Sequence, residues 1–201
     1  MTSTITTRPG TNDLKLYNEA QWYAGYTAAR HEKRVAEHLT QRGIEHFLPL
    51  YETIHRWNNG RHRVQLPLFP GYIFVRIALQ ERLRVLELPG FVRLVGFNSL
   101  PHSLPETDIN KMKEALNKGV LAEPYPYLTA GTRVEIRNGP LQGMTGILLR
   151  RQNKCRVVIS IDLIMRSMAV EIDARDVVPV RNSSGRTIPA GTSTGATTVY
   201  V

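Results

Sequence analysis

The chain has 201 residues, 42% of them hydrophobic, and a formal net charge of +9 at pH 7; this excludes a wholly disordered or acidic polymer and leaves room for one large core or two small ones. The basic surplus is spread over both halves, so it favours a polyanionic partner only where a local patch concentrates it. A single cysteine, Cys155, excludes a disulfide framework and a thiolate zinc cluster. Residues 1–12 lack the apolar core of a secretory signal, and no stretch approaches the ~20 apolar residues of a membrane span, so a cytoplasmic protein without membrane association is expected.

In chain order, residues 1–20 are Thr-rich and weakly apolar, and are expected to form a mobile extension. Gln21 to Tyr26 reads as an aromatic strand. From Thr27 a helical pattern places Val35, Ala36 and Leu39 among charges and stops at Gly43. Glu45 to Tyr51 reads as a second strand, and residues 54–66 as a hairpin turning at Asn58-Asn59-Gly60. Gly71 to Ile77 is the most strand-like run in the chain. A short helical piece at 81–88, a strand at 91–97 and a helix at 106–118, with Ile109, Met112 and Leu116 on one stripe, complete the first domain. The expected class over residues 21–118 is α+β, an open, mainly antiparallel sheet with flanking helices.

Residues 119–128, with Pro124 and Pro126, read as an extended linker. Residues 129–181 have no helical period and read as about five short strands punctuated by glycines, a small all-β barrel. Val157 to Ile161 is β-branched, and Gly139, Gly143 and Gly146 weaken any helix, so this domain is expected to stay a barrel. Residues 182–201 are a Ser/Thr/Gly tail, expected to be disordered.

Arg34, His38 and Arg42 follow one another at i, i+4 and i+8, with Arg30 one turn earlier, and form a basic stripe suited to phosphates and unpaired bases. Arg56, Arg61, His62 and Arg63 cluster at the hairpin tip, a second candidate for nucleic acid. The bland reading of both is a solvated basic surface. The six histidines lie between residues 31 and 102 without a metal-binding pair, and the chain carries no P-loop, nucleophile elbow or dinucleotide fingerprint. No enzyme, metal or cofactor is expected.

The segment GTRVEIRNGPLQGMTGIL (131–148) resembles a KOW motif, whose glycines permit a tight turn and close backbone approach. QWYAGYTAARHEKRVAEHL (21–39), PLFPGYIFVRI (67–77) and PGFVRLVGF (89–97), in that order, are similar to the N-terminal domain of NusG-type transcription elongation factors. Together they span roughly residues 21–181.

The resemblance implies binding of RNA polymerase at the clamp helices of its largest subunit and a site beside the upstream non-template DNA strand. It also implies a KOW domain that recruits others, such as the ribosome or the Rho factor. By motif position, Tyr26, Tyr72, Phe74, Phe97, Ile109 and Met112 would form the polymerase-docking patch; the bland alternative for each is core packing. Similar positions place the basic stripe beside the displaced strand. In the KOW domain, Leu141 and residues 162–166 stand where the general factor carries Phe and Phe-Gly. Leu141, Leu163, Ile164, Met165 and Arg166 are therefore the expected partner-binding residues. They point to a specialised paralog promoting processivity and antitermination at selected operons. The alternatives are a housekeeping factor acting in pausing and Rho-dependent termination, or a ribosomal or RNA-binding KOW protein. A monomer is expected.

Overall fold

The structure is a computed structural model that describes residues 17–57, 60–97, 100–127, 131–151 and 154–180. The tail 182–201 and residues 1–16 of the extension lie outside the described residues, as does Asn58-Asn59 of the hairpin turn.

The first sheet is built on β1 (Gln21–Thr27), which pairs antiparallel with β5 (Tyr72–Ile77) on one side and with β6 (Phe91–Leu94) and β9 (Ser103–Leu104) on the other; β2 (His46–Phe47) flanks β5. Register sorts the side chains. Trp22 lies opposite Arg76, Ala24 opposite Phe74 and Tyr26 opposite Tyr72, so these six share one face; Tyr23 opposite Val75 and Gly25 opposite Ile73 belong to the other.

That second face is closed by α1 (Glu32–Gln41), through Val35 and Leu39, and by α2 (Leu83–Leu86), through Val85; both join Tyr23, Ile73, Val75 and Phe91 in one core. Gly25 is required here, because a Cβ would meet the Phe91 ring at 2.4 Å. The first face is covered in part by α3 (Glu106–Asn117), which buries Ile109, Met112 and Ala115. Beyond the sheet, β3 (Leu50–Trp57) and β4 (Gly60–Pro67) form a separate two-stranded hairpin, and β7 (Gly96–Phe97) pairs with β8 (Leu100–Pro101).

The boundaries differ from expectation in instructive ways. The second strand is only two residues long, because Leu48 and Pro49 separate it from β3. The strand at 91–97 breaks at Val95, whose N–H turns to the Ala24 carbonyl. Helix α1 begins at Glu32, after a turn in which Arg30 takes φ +63°, a left-handed value no helix contains.

The second domain contains β10 (Ala122–Tyr125), β11 (Arg133–Ile136), β12 (Thr145–Arg151), β13 (Lys154–Ile161), β14 (Arg166–Ile172) and β15 (Val177–Pro179), paired in the order β10-β14-β13-β12-β11-β15. One expectation is corrected. The proposed linker contributes a strand, since Pro124 lies on an outer strand where a missing N–H is tolerated. Residues 131–180 form the expected small all-β domain, with β10 added beside β14. Gly146 lies against β13, where a Cβ would stand 2.5 Å from the Val158 carbonyl oxygen. Only glycine allows this approach.

Candidate docking face and its cover

Of the expected docking residues, Tyr26, Tyr72 and Phe74 lie on the first face of the sheet and Ile109 and Met112 on the helix that covers it, whereas Phe97 lies on the separate β7–β8 pair; their exposure is unequal. Tyr26 is 38% exposed and Phe97 60%. Their rings are available to a partner. Tyr72 is half-buried, its ring 5.4 Å from that of Tyr26. Phe74 is fully buried, edge-on to Phe69 at 6.0 Å and stacked on Phe47 at 6.1 Å. Its place in the docking patch is corrected: as an inward residue of a central strand it packs the core.

Ile109 and Met112 are also buried, 1% and 2% exposed, but their cover comes from farther along the chain. One apolar cluster runs without a break from Trp22, Phe69, Phe74, Ile109 and Met112 to Leu141, Met144, Ile159, Ile164 and Met168 of the second domain. The second domain therefore sits on the first face. A cavity of about 240 Å³ remains in this seam, between Leu104, Asp108, Ile109 and Met112 on one side and Met144, Ile159, Asp162 and Leu163 on the other. At the rim the Arg166 guanidinium lies 5.6 Å from the centre of the Tyr72 ring, a cation–π contact between the domains.

The expected partner-binding tip of the second domain is thus directed at this chain's own first domain. Ile164 is buried, Leu163 is partly buried against the shared cluster, and Leu141 is buried too. Met165, at φ +49°, turns outward and is 60% exposed. In this arrangement Leu141 and Ile164 are turned away from solvent and Leu163 is partly covered, because burying apolar surface in the seam removes it from water.

Helix α3 is pinned over the sheet by charges that sequence inspection did not single out. The Glu45 carboxylate accepts hydrogen bonds from Arg76 at 3.2 Å and Lys113 at 3.3 Å, and Arg76 also pairs with Glu106 at 3.5 Å. Lys113 stands 4.1 Å from the centre of the Trp22 ring. Burial alone would push the Glu45 carboxyl up, but the hydrogen bonds and positive charges of Arg76 and Lys113 outweigh it and hold the group below its ordinary value. With a depressed folded-state value, the carboxylate's support is complete above the ordinary carboxylate range and is lost as pH falls through the lowered value. NMR is expected to show α3 amide resonances shifting in that acidic window, and Glu45→Gln to remove the titration.

Of the basic stripe, Arg30 and Arg34 are exposed. Arg42 is committed elsewhere: it donates to the Arg84 carbonyl at 2.7 Å and faces Glu87 at 3.9 Å, while Arg84 donates back to the Arg42 carbonyl at 3.1 Å. It caps the helix against α2, and the stripe is shorter than the spacing predicts. His38 is half-buried, with Nδ1 inaccessible and unpartnered among the described residues. In the hairpin, Arg56 lies directly opposite Arg61 and Arg63 opposite Ile54, all four exposed. Like charges facing across a ladder are unfavourable, and an anion placed there would relieve them.

Glu32 is the residue the sequence misrepresents most. It is buried, and its Oε1 accepts the Gly71 N–H at 2.7 Å, tying the start of α1 to the entrance of β5. Sequence spacing gives no signal for this bond, since the partners are 39 residues apart. No group of three or more metal-ligating side chains occurs among the described residues, and no described helix is long and apolar enough to cross a membrane.

An antiparallel sheet with an aromatic face, flanking helices and a Gly-rich all-β second domain define a two-domain α+β protein. The family model described as transcription termination factor nusG matches residues 20–113. The transcription termination/antitermination protein NusG of Campylobacter jejuni is 31% identical over 139 residues, covering 64% of this chain and 78% of that protein. The Thermus thermophilus protein of the same name is 24% identical over 179 residues, covering 79% and 97%. Among solved structures, one described as "Domain interaction in Thermotoga maritima NusG" matches with a TM-score of 0.51 at 17% identity, over 81% of this chain and 98% of that one, a likeness of fold. The chain belongs to the NusG family. It is accordingly a transcription factor and not an enzyme.

Proposed function

We propose that this protein regulates transcript elongation in the cytoplasm by docking its first domain on the clamp helices of the largest RNA polymerase subunit. Arg30 and Arg34, with the hairpin arginines Arg56, Arg61 and Arg63, then face the upstream non-template DNA strand. The single observation that carries this reading is the pair of neighbouring rings Tyr26 and Tyr72 on the first face, Tyr26 exposed and Tyr72 meeting Arg166 at the rim of the seam; the exposed Phe97 on β7 is a further proposed contact. A pair of helices offers a ridge that such rings can bury, and aromatic anchors of this kind dominate interface energies. The seam residues Ile109 and Met112 extend this surface once the second domain moves away.

The mechanism is a population shift: polymerase held in its closed-clamp, processive state by differential binding pauses less. The tip carrying Leu163, Ile164 and Arg166 favours the specialised antitermination reading. The names of the curated relatives favour a general role in termination and antitermination. Capture of Rho by the full chain separates the two, with tight binding ruling out the specialised reading. Polymerase docking itself is tested with Tyr26→Ala/Phe97→Ala, two exposed positions whose truncation leaves the core intact. Polymerase affinity measured with the full chain is expected to fall about 100-fold, given ~1–2 kcal/mol per aromatic anchor; unchanged affinity would dismiss this face as the docking site.

A further inference from the structure

Strand β10 is an unusual member of its sheet. It has four residues, lies at the outer edge beside β14, and includes Pro124, which has no N–H to donate. Ala122 lies opposite Val170, Glu123 opposite Ala169, Pro124 opposite Met168 and Tyr125 opposite Ser167. Its most specific attachment is an ion pair between Glu123 and Arg156 of β13, the strand beyond β14; the arginine side chain is only 13% exposed. A four-residue strand covers only part of the seven-residue strand beneath it.

Its position in the chain makes the pairing consequential. Only residues 118–121 connect the end of α3 to β10. While β10 stays paired, the second domain can stand no more than ~14 Å from the end of α3, at ~3.5 Å per extended residue. With β10 released, the connection runs from residue 118 to 132, and the reach grows to ~50 Å. Wide separation of the domains and exposure of the β14 edge are therefore one event.

We propose that β10 is a displaceable strand and that the β14 edge beneath it accepts an extended segment of a partner protein. The segment adds antiparallel to β14 and carries an acidic residue where Glu123 now meets Arg156. The chain's own Ala122–Tyr125 is the template for this occupant: small, acidic, then apolar, in extended backbone. Main-chain hydrogen bonds supply affinity, as in other strand additions, and the buried arginine supplies selectivity. The inference rests on the second domain alone and stands or falls separately from polymerase docking.

The test uses full-length protein carrying Glu123→Lys and a synthetic peptide of residues 119–127 as the probe, read by residue-resolved amide hydrogen exchange. In the variant, β14 amides directed at β10 are expected to exchange about tenfold faster, while those directed at β13 keep their protection. Added wild-type peptide is expected to restore the lost protection, and the peptide bearing the same Glu→Lys change is not. Exchange rising together on both sides of β14 would make β10 an integral strand and overturn the proposal. So would no rise at all, or failure of the wild-type peptide to protect the edge.

Discussion

Phe74→Ala is expected to lower the stability of the first domain by ~3–5 kcal/mol, the range for deleting a fully buried phenylalanine side chain. The ring is wholly removed from solvent at the centre of β5, between Phe69 and Phe47 and across from Ala24. Collapse cannot fill the gap, because the neighbours are held by three strands and a helix. A urea midpoint falls accordingly. Tyr26→Ala, at an exposed ring on the same face, is expected to shift the midpoint by a small fraction of that amount. The contrast separates two residues that a motif comparison groups together: one supports the sheet, the other is free to bind.

Leu163→Asp is expected to act in the opposite direction on function, raising polymerase affinity of the full chain about tenfold. Leu163 lines the seam cavity together with Asp108, Ile109 and Met112. A carboxylate there is deprived of water beside a second carboxylate, and both effects disfavour the closed arrangement. If closure covers the Ile109 and Met112 end of the proposed docking surface in ~90% of molecules or more, opening it recovers that factor, since apparent affinity scales with the binding-competent fraction. Arg166→Ala removes the cation–π contact with Tyr72 and is expected to give a smaller gain of the same sign. The measurement is direct titration of polymerase with each full-length variant. A loss of affinity for Leu163→Asp in a protein that remains folded would place the second domain among the polymerase contacts instead of over them.

Much of the fold was legible because it rests on local signals. The alternation in β5, the turns around Gly139 and Gly143, and the apolar stripe of α3 each name their element without help from distant residues. What escaped depends on separation in sequence. Glu32 reads as a solvated charge because its partner is the Gly71 N–H; Arg42 reads as part of a nucleic-acid stripe because its partner is the Arg84 carbonyl. Proline at 124 reads as a linker signal, yet the edge of a sheet tolerates it. The apolar residues of the first face were identifiable as apolar, whereas the pattern could not specify which of two apolar surfaces would cover the other. The seam between the domains satisfies both.

The central claim is that the surface now occupied by the second domain is the surface polymerase uses. It is tested by the distance between one spin label on the exposed side of α1 and one on β12, in Cys155→Ser protein, measured with and without polymerase. A single short distance is expected in the free chain, shifting to a broad, longer distribution when polymerase is bound. An unchanged short distance in the polymerase complex would contradict it.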